Sequence, residues 1–201
     1  MLTLDHIALA CTDLVGSAEL LSQLIGVPLQ SGGKHPRYGT HNMLLGMGDL
    51  YMELIARDPD ATPTGRPAWF DLDHFTGPMR PANWICRTPD LKAALPRMPV
   101  GPGPAVPLTR GDLAWDITVP DDGSLPLDGA MPTLIQWADG TRHPLDRLTD
   151  SACRLQRWTV SHPQAQMLQN SLPLVDHRVQ FVTGPACFAM TLMTPRGIVT
   201  L

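Results

Sequence analysis

The stretch that decides the fold is "LDHIALACTDLVGSAELLSQLIG", residues 4–26, because it reads as one strand, one cap and one helix in succession. In "LDHIALACT" the residues alternate, with Ile7, Leu9 and Cys11 on one face and His6, Ala8 and Ala10 on the other. Asp13 then caps a helix whose apolar positions Leu14, Ala18, Leu21 and Ile25 follow the three-to-four spacing, and Gly26 suits its C-terminal end. Three further strands follow in "VPLQSGG", "THNMLLGM" and "LYMELIAR", so the first unit, residues 1–58, reads as βαβββ.

The same order restarts after a Pro-rich stretch, residues 59–80, that reads as a linker or lid. "ANWICRTPDLKAALPRM" echoes the opening strand, cap and amphipathic helix, with Asp90-Leu91 over Asp13-Leu14 and Asn83 over His6. "AVPLTRG", "LAWDITVP" and "MPTLIQWA" complete the second unit, residues 81–148, and the comparison sets Gln136 opposite Glu53. A third, shorter echo occupies residues 149–201, in "RLQRWTVSHPQAQMLQNSL", "HRVQFVTG", "CFAMTLMTP" and "GIVTL", with Arg157 at the His6 position. The fold class is therefore α+β, built from repeated βαβββ units.

Glu53 is the anomaly, because "LYMELIA" places a carboxylate inside an apolar strand. A two-residue turn at Gly48-Asp49 pairs Leu50 with Met47 and sets Glu53 across from Leu44. Alternation then puts Asn42 on the face of Glu53 and His41 on the other, whereas a three-residue turn exchanges the two. The two-residue reading is preferred. Trp84, with Trp69 and Phe70, is a candidate lining for an apolar pocket, against the plainer reading of core. His143 in "GTRHP" and His35 in "GGKHPRYG" read as loop residues near the mouth of a cavity.

Composition narrows the function. The chain has 201 residues, a net charge of -4 and no Lys/Arg cluster, which gives no electrostatic reason for nucleic acid or an anionic membrane as partner. "MLTLDHIALA" lacks a cationic start, no apolar run is long enough for a bilayer, and Cys11, Cys86, Cys153 and Cys187 form no CxxC pair. These features point to reduced thiols and the cytoplasm. GxSxG, GxxxxGK[ST], HExxH and GxGxxG are all absent, so no nucleotide cofactor is expected.

"LDHIALACTDL" followed by "GGKHPRYGTHNMLLGMGDLYMELIA" resembles the glyoxalase-like group of the vicinal oxygen chelate superfamily, and the resemblance extends through "PTLIQWADGTRHP" and "TPRGIVTL". It implies paired curved mixed sheets, strand order 1-4-3-2 in each unit, enclosing a cavity. It also implies that His6 and Glu53 are ligands of one divalent ion, Zn, Ni, Mn or Fe, with Gln136 as a further ligand and Asn83 at the fourth place. Glu53 would be a ligand, a base, or both in turn, and Asn42, His41, Asn83 and Trp84 would touch substrate. The implied activities are a metal-assisted lyase, isomerase or dioxygenase acting on a small oxygenated substrate, or metal-free binding of an organic ligand in the same cavity. The apolar strands of the third unit need a covered edge, met by packing on the paired units or by a homodimer interface.

Overall fold

The computed structural model describes residues 1–201. The first unit contains β1 (Thr3–Ala10), α1 (Leu14–Ile25), β2 (Gln30–His35), β3 (Thr40–Gly46) and β4 (Tyr51–Arg57). The second contains β5 (Arg80–Arg87), α2 (Leu91–Ala94), β6 (Ala105–Arg110), β7 (Leu113–Thr118) and β8 (Thr133–Trp137). All eight strands join one sheet in the order β2-β3-β4-β1-β5-β8-β7-β6, which is 1-4-3-2 in each half with β1 and β5 antiparallel at the centre. The sheet curls into a nearly closed barrel whose edge strands, β2 and β6, approach one another.

The local signals account for these elements. Asp13 caps α1 by accepting from the Gly16 N–H, and Asp90 caps α2 by accepting from the Ala93 N–H, the same spacing 77 residues later. Gly26 ends α1 in the left-handed region at φ 83°. The second helix is shorter than its apolar spacing predicts: after Ala94 the chain tightens to a 3-10 turn at Leu95–Arg97, where Pro96 has no N–H to continue an α-helix.

Two apolar layers result. Ile7, Leu9 and Cys11 join Leu21, Ile25, Met52, Leu54 and Trp84 under the helices, while Ala8 and Ala10 join Ile55, Ile85, Ile135 and Trp115 inside the barrel. The faces of β1 are those expected from alternation.

The third unit has the expected element order, β9 (Arg154–Ser161), α3 (Ala165–Ser171), β10 (Val179–Val182), β11 (Cys187–Thr194) and β12 (Gly197–Thr200). Its strand order, β10-β9-β11-β12, differs from that of the other two units, because β10 pairs parallel with β9. Leu155, Trp158, Val160, Leu168, Met190 and Leu192 lie in the same buried cluster as Leu4 and Trp84. Arg157 is exposed on β9, away from the barrel cavity. No helix is long and apolar enough to cross a membrane.

Candidate functional site

A chamber of about 30 Å³ lies inside the barrel, with His6, Asn42, Glu53 and Arg110 as its polar groups and Tyr51, Trp69, Phe70, Trp115 and Trp137 among its walls. Two β-bulges shape it. Leu4 pairs with Cys86 and His6 with Ile85, so Asp5 is an extra residue in β1. The bulge breaks the alternation and lets neighbouring side chains meet: His6 Nδ1 donates to Asp5 Oδ1 at 2.7 Å. In β2, Ser31 pairs with Met43 and Lys34 with His41, so Gly32 and Gly33 together oppose Asn42. A Cβ on Gly32 would stand 2.0 Å from Asn42 Oδ1, which is why this bulge takes glycine.

The hairpin holds the predicted register. Met47 N–H donates to Leu50 O, Gly48 has φ 89°, and Leu44 pairs with Glu53. Asn42 therefore faces the chamber, and His41, on the other face of β3, lies outside its lining. Asn42 Oδ1 accepts from Gly33 N–H at 2.7 Å and from Arg110 Nη1 at 3.3 Å, which fixes the amide so that Nδ2 donates to Glu53 Oε1. Glu53 Oε2 is left without a hydrogen bond and faces His6 Nε2 across 3.8 Å. His6 is further held by stacking on Tyr51, ring centroids 4.4 Å apart.

Asp5 is the hub behind this pair. It is fully buried, and its Oδ2 accepts from His143 Nε2 (3.0 Å), Trp137 Nε1 (3.2 Å) and Arg87 Nη1 (3.5 Å). Burial by itself raises the pKa of a carboxyl, but here hydrogen bonds from His143 and His6, with the charge on those rings, outweigh it and hold Asp5 well below the usual carboxylate range. Asp5 is thus an acceptor for His6 Nδ1–H, and the other ring nitrogen is the one presented to the chamber. Burial, assisted by the charges on Asp5 and Glu53, also pushes the Tyr51 phenol well above its ordinary value, so it stays neutral.

Arg110 reaches from the end of β6 across the open seam of the barrel to β2. Its Nη1 donates to His35 Nε2 at 2.9 Å, and His35 Nδ1 bonds Thr40 Oγ1 at 3.1 Å. Burial, and after it the Arg110 charge, pushes the His35 pKa down to about 3, so this imidazole is a neutral acceptor for the guanidinium. Trp69 closes the mouth: its Nε1–H donates to Thr40 Oγ1 and its ring stacks on Tyr38 and Phe70.

The residues expected from the second unit are placed differently. Gln136 points to the helix side of β8, where its Oε1 accepts from the Leu91 N–H at 2.6 Å, while Ile135 and Trp137 face the chamber. The strand pairing explains the shift. Ala8 stands opposite Glu53, and the equivalent Ile85 stands opposite Thr133, so Thr133 and not Gln136 occupies the Glu53 place. Asn83 does correspond to His6, but its Nδ2 donates to Thr133 Oγ1 at 2.9 Å and its Oδ1 accepts from Trp84 N–H. Trp84 is likewise corrected: it is fully buried in the core under the helices, with Nε1–H donating to Gly129 O.

A divalent ion with the four donors implied by the resemblance does not fit this arrangement. His6 and Glu53 supply two, the matching pair in the second unit is an amide bonded to a hydroxyl, and no group of three or more His, Cys, Asp or Glu side chains converges anywhere in the chain. Asn42 Oδ1 is already shared between an N–H and a guanidinium. Asp5 and Arg110 are the site residues that the sequence did not single out, and His35 and His143 are those it placed only as loop residues near the mouth. Of the first two only Asp5 carried a local signal, a second carboxylate in an apolar strand.

Among solved structures, a hypothetical protein from Staphylococcus aureus aligns over 100% of this chain and 84% of its own, at 18% identity and a TM-score of 0.57. A methylmalonyl-CoA epimerase in complex with methylmalonyl-CoA and NH4+ covers 72% of this chain and 99% of its own, at 17% identity and a TM-score of 0.46. A Streptomyces coelicolor methylmalonyl-CoA epimerase in complex with 2-nitronate-propionyl-CoA covers 70% of this chain and 100% of its own, at 17% identity and a TM-score of 0.47. At 18% identity the likeness to the Staphylococcus aureus protein is one of fold, and no curated protein matches the sequence. The family model described as "Glyoxalase-like domain" matches residues 4–175, nearly the whole of the chain's first two units and part of the third, and the protein belongs to that family.

Proposed function

We propose that the chamber binds the oxygenated, anionic end of a small organic molecule, and that Glu53 moves a proton on the carbon beside its carbonyl, chemistry of the isomerase or lyase class. The observation that carries this reading is the pair of unbonded polar atoms, His6 Nε2 and Glu53 Oε2, facing each other across 3.8 Å in a chamber bordered by Arg110. Glu53 Oε1 is engaged by Asn42, so Oε2 is the oxygen left to accept the substrate proton. The electron pair of the broken C–H bond moves to the carbonyl oxygen, where the Arg110 guanidinium supplies compensating charge and a hydrogen bond. Return of the proton from Oε2 to the same carbon, on either face, completes the turnover. Asp5 orients His6, and the Gly33 N–H with Arg110 orients Asn42, so the polar groups are set before substrate arrives.

Binding without turnover is the second reading, favoured by how fully Asn42 and Arg110 are already bonded. Proton NMR in D2O separates the two. Pyruvate and 2-oxobutyrate should exchange their C3 protons faster with the protein than in buffer, and Glu53→Gln should remove about 100-fold or more of that rate while binding persists. Binding with exchange at the buffer rate would leave the second reading, and absence of both would refute the two together.

A further inference from the structure

At about 30 Å³ the chamber falls well below the range of organic-ligand cavities, so an organic ligand must extend beyond it. Two larger clefts border the chamber. One, of about 330 Å³, shares Leu44 and Arg110 with it and is otherwise walled largely by glycine backbone and the Asp112–Arg147 ion pair. Passage on that side would have to break the bonds of Arg110 to His35 and Asn42. The other, of about 310 Å³, shares Phe70 with the chamber and lies against the third unit.

Phe70 is the wall without a polar side-chain anchor, although it is itself buried in the inner apolar layer. Its side chain is held by a stack on Trp69 (5.1 Å), whereas Trp69 is anchored by its own hydrogen bond to Thr40 and the Asp71 N–H by Gly123 O. Its backbone sits in the left-handed region at φ 59°, and Asp71 follows at φ 55°, a conformation that bulky side chains rarely hold. Beyond it the cleft collects Phe70, Phe75 and Phe188, three of the four phenylalanines in the chain, together with Pro81 and Leu125. Its charged groups include Arg80, which lies over the Phe75 ring at 4.1 Å.

We propose that this cleft is the second half of the ligand site and takes the aryl or branched-alkyl tail of a molecule whose anionic, oxygenated head lies in the chamber, with Phe70 as the movable partition between them. The proposal rests on the reading of the chamber as a head-group site. It assigns the substrate class: a carboxylate or related anion carrying an apolar tail. A cleft of this volume falls in the range used for organic ligands, which the chamber alone does not.

Cys187 lines the cleft and is the one exposed thiol, the other three being buried, so it reports on occupancy without any substitution. The full-length protein is titrated with acetate and with 3-phenylpropanoate, and alkylation of Cys187 by N-ethylmaleimide is followed by mass spectrometry, with Cys187→Ser as the labelling control. The expected result is that 3-phenylpropanoate binds at least tenfold more tightly than acetate and slows alkylation at least fivefold at saturation, while saturating acetate leaves the rate unchanged. Arg110→Met should weaken both ligands. Binding of 3-phenylpropanoate that depends on Arg110 but leaves Cys187 reacting at the free rate, or is no tighter than that of acetate, overturns the tail cleft and spares the chamber. Protection of Cys187 with undiminished affinity in Arg110→Met refutes the chamber reading and, with it, the joining of the two halves.

Discussion

Asp5→Asn tests the support behind His6. The carboxylate is fully buried and receives four donors, His6 on Oδ1 and His143, Trp137 and Arg87 on Oδ2. Asparagine keeps the shape but replaces one acceptor by an NH2 group. Turned toward Oδ2's partners, that group meets three donors; turned toward His6, it meets one, and this orientation costs less. It still removes one charge-assisted bond, about 1.5–3 kcal/mol, and leaves His143 and Trp137 on a neutral acceptor. We expect a loss of about 3 kcal/mol at pH 7, or roughly 6–12 °C in Tm for a chain of this size. To bond the new NH2, His6 must accept at Nδ1 and carry its proton on Nε2, where it faces Glu53 Oε2 and competes for the lone pair of the base, so proton-exchange activity should fall about 10–100-fold. The pH dependence has a definite direction. The folded pKa of Asp5 is depressed, so its contribution is complete above the ordinary carboxylate value of 3.8 and is lost as pH falls toward the folded value. The gap between wild type and variant, measured by urea unfolding, should hold between pH 5 and pH 7 as far as Asp5 is concerned and narrow in stronger acid. A loss under about 1 kcal/mol at pH 7, or a gap that widens below pH 4, would refute the reasoning.

Gly32→Ala should lower stability by about 1–3 kcal/mol and weaken activity, because its Cβ would press on Asn42 Oδ1 and the Asn42 carbonyl; an unchanged melting curve counts against the bulge as the device that sets Asn42. Trp158 is fully buried and its Nε1–H has no partner, so Trp158→Phe should cost less than about 1.5 kcal/mol, whereas Trp158→Ala should cost about 3–5 kcal/mol by the same denaturation assay. Residues 1–149 alone should aggregate, because truncation there uncovers the face on which Leu155, Trp158 and Leu192 pack; a soluble, cooperatively folding fragment would contradict this. Zinc, nickel or manganese titrated into the protein should bind weakly, with no change in Gln136→Ala, whereas tight stoichiometric binding lost in that variant would restore the four-donor shell implied by the resemblance.

Period-two alternation was legible because it needs no tertiary information. The turn at Gly48-Asp49 fixes the hairpin, the hairpin fixes Leu44 opposite Glu53, and Asn42 follows as the inward member of the pair. The capping aspartates were legible for the same local reason, and their spacing set Asn83 correctly over His6. Gln136 failed because its placement required the register between β5 and β8, which neither strand encodes alone; the pairing of Ile85 with Thr133 moves the equivalent position three residues back. The bulge at Asp5 was invisible to an alternation argument, since a bulge is a departure from alternation, although the logic that singled out Glu53 applies equally to a second carboxylate in β1. Arg110 gave no local signal at all. Its role arises where the two edges of the curled sheet meet, 68 residues from Asn42 along the chain.

The most direct test of the central claim is a crystal structure of the protein soaked in pyruvate. The account predicts the methyl carbon of pyruvate against Glu53 Oε2, within about 3.5 Å, and the carbonyl and carboxylate oxygens on Arg110. Pyruvate bound elsewhere with the chamber unchanged, or a cation held there by His6, Glu53 and Gln136, would contradict it.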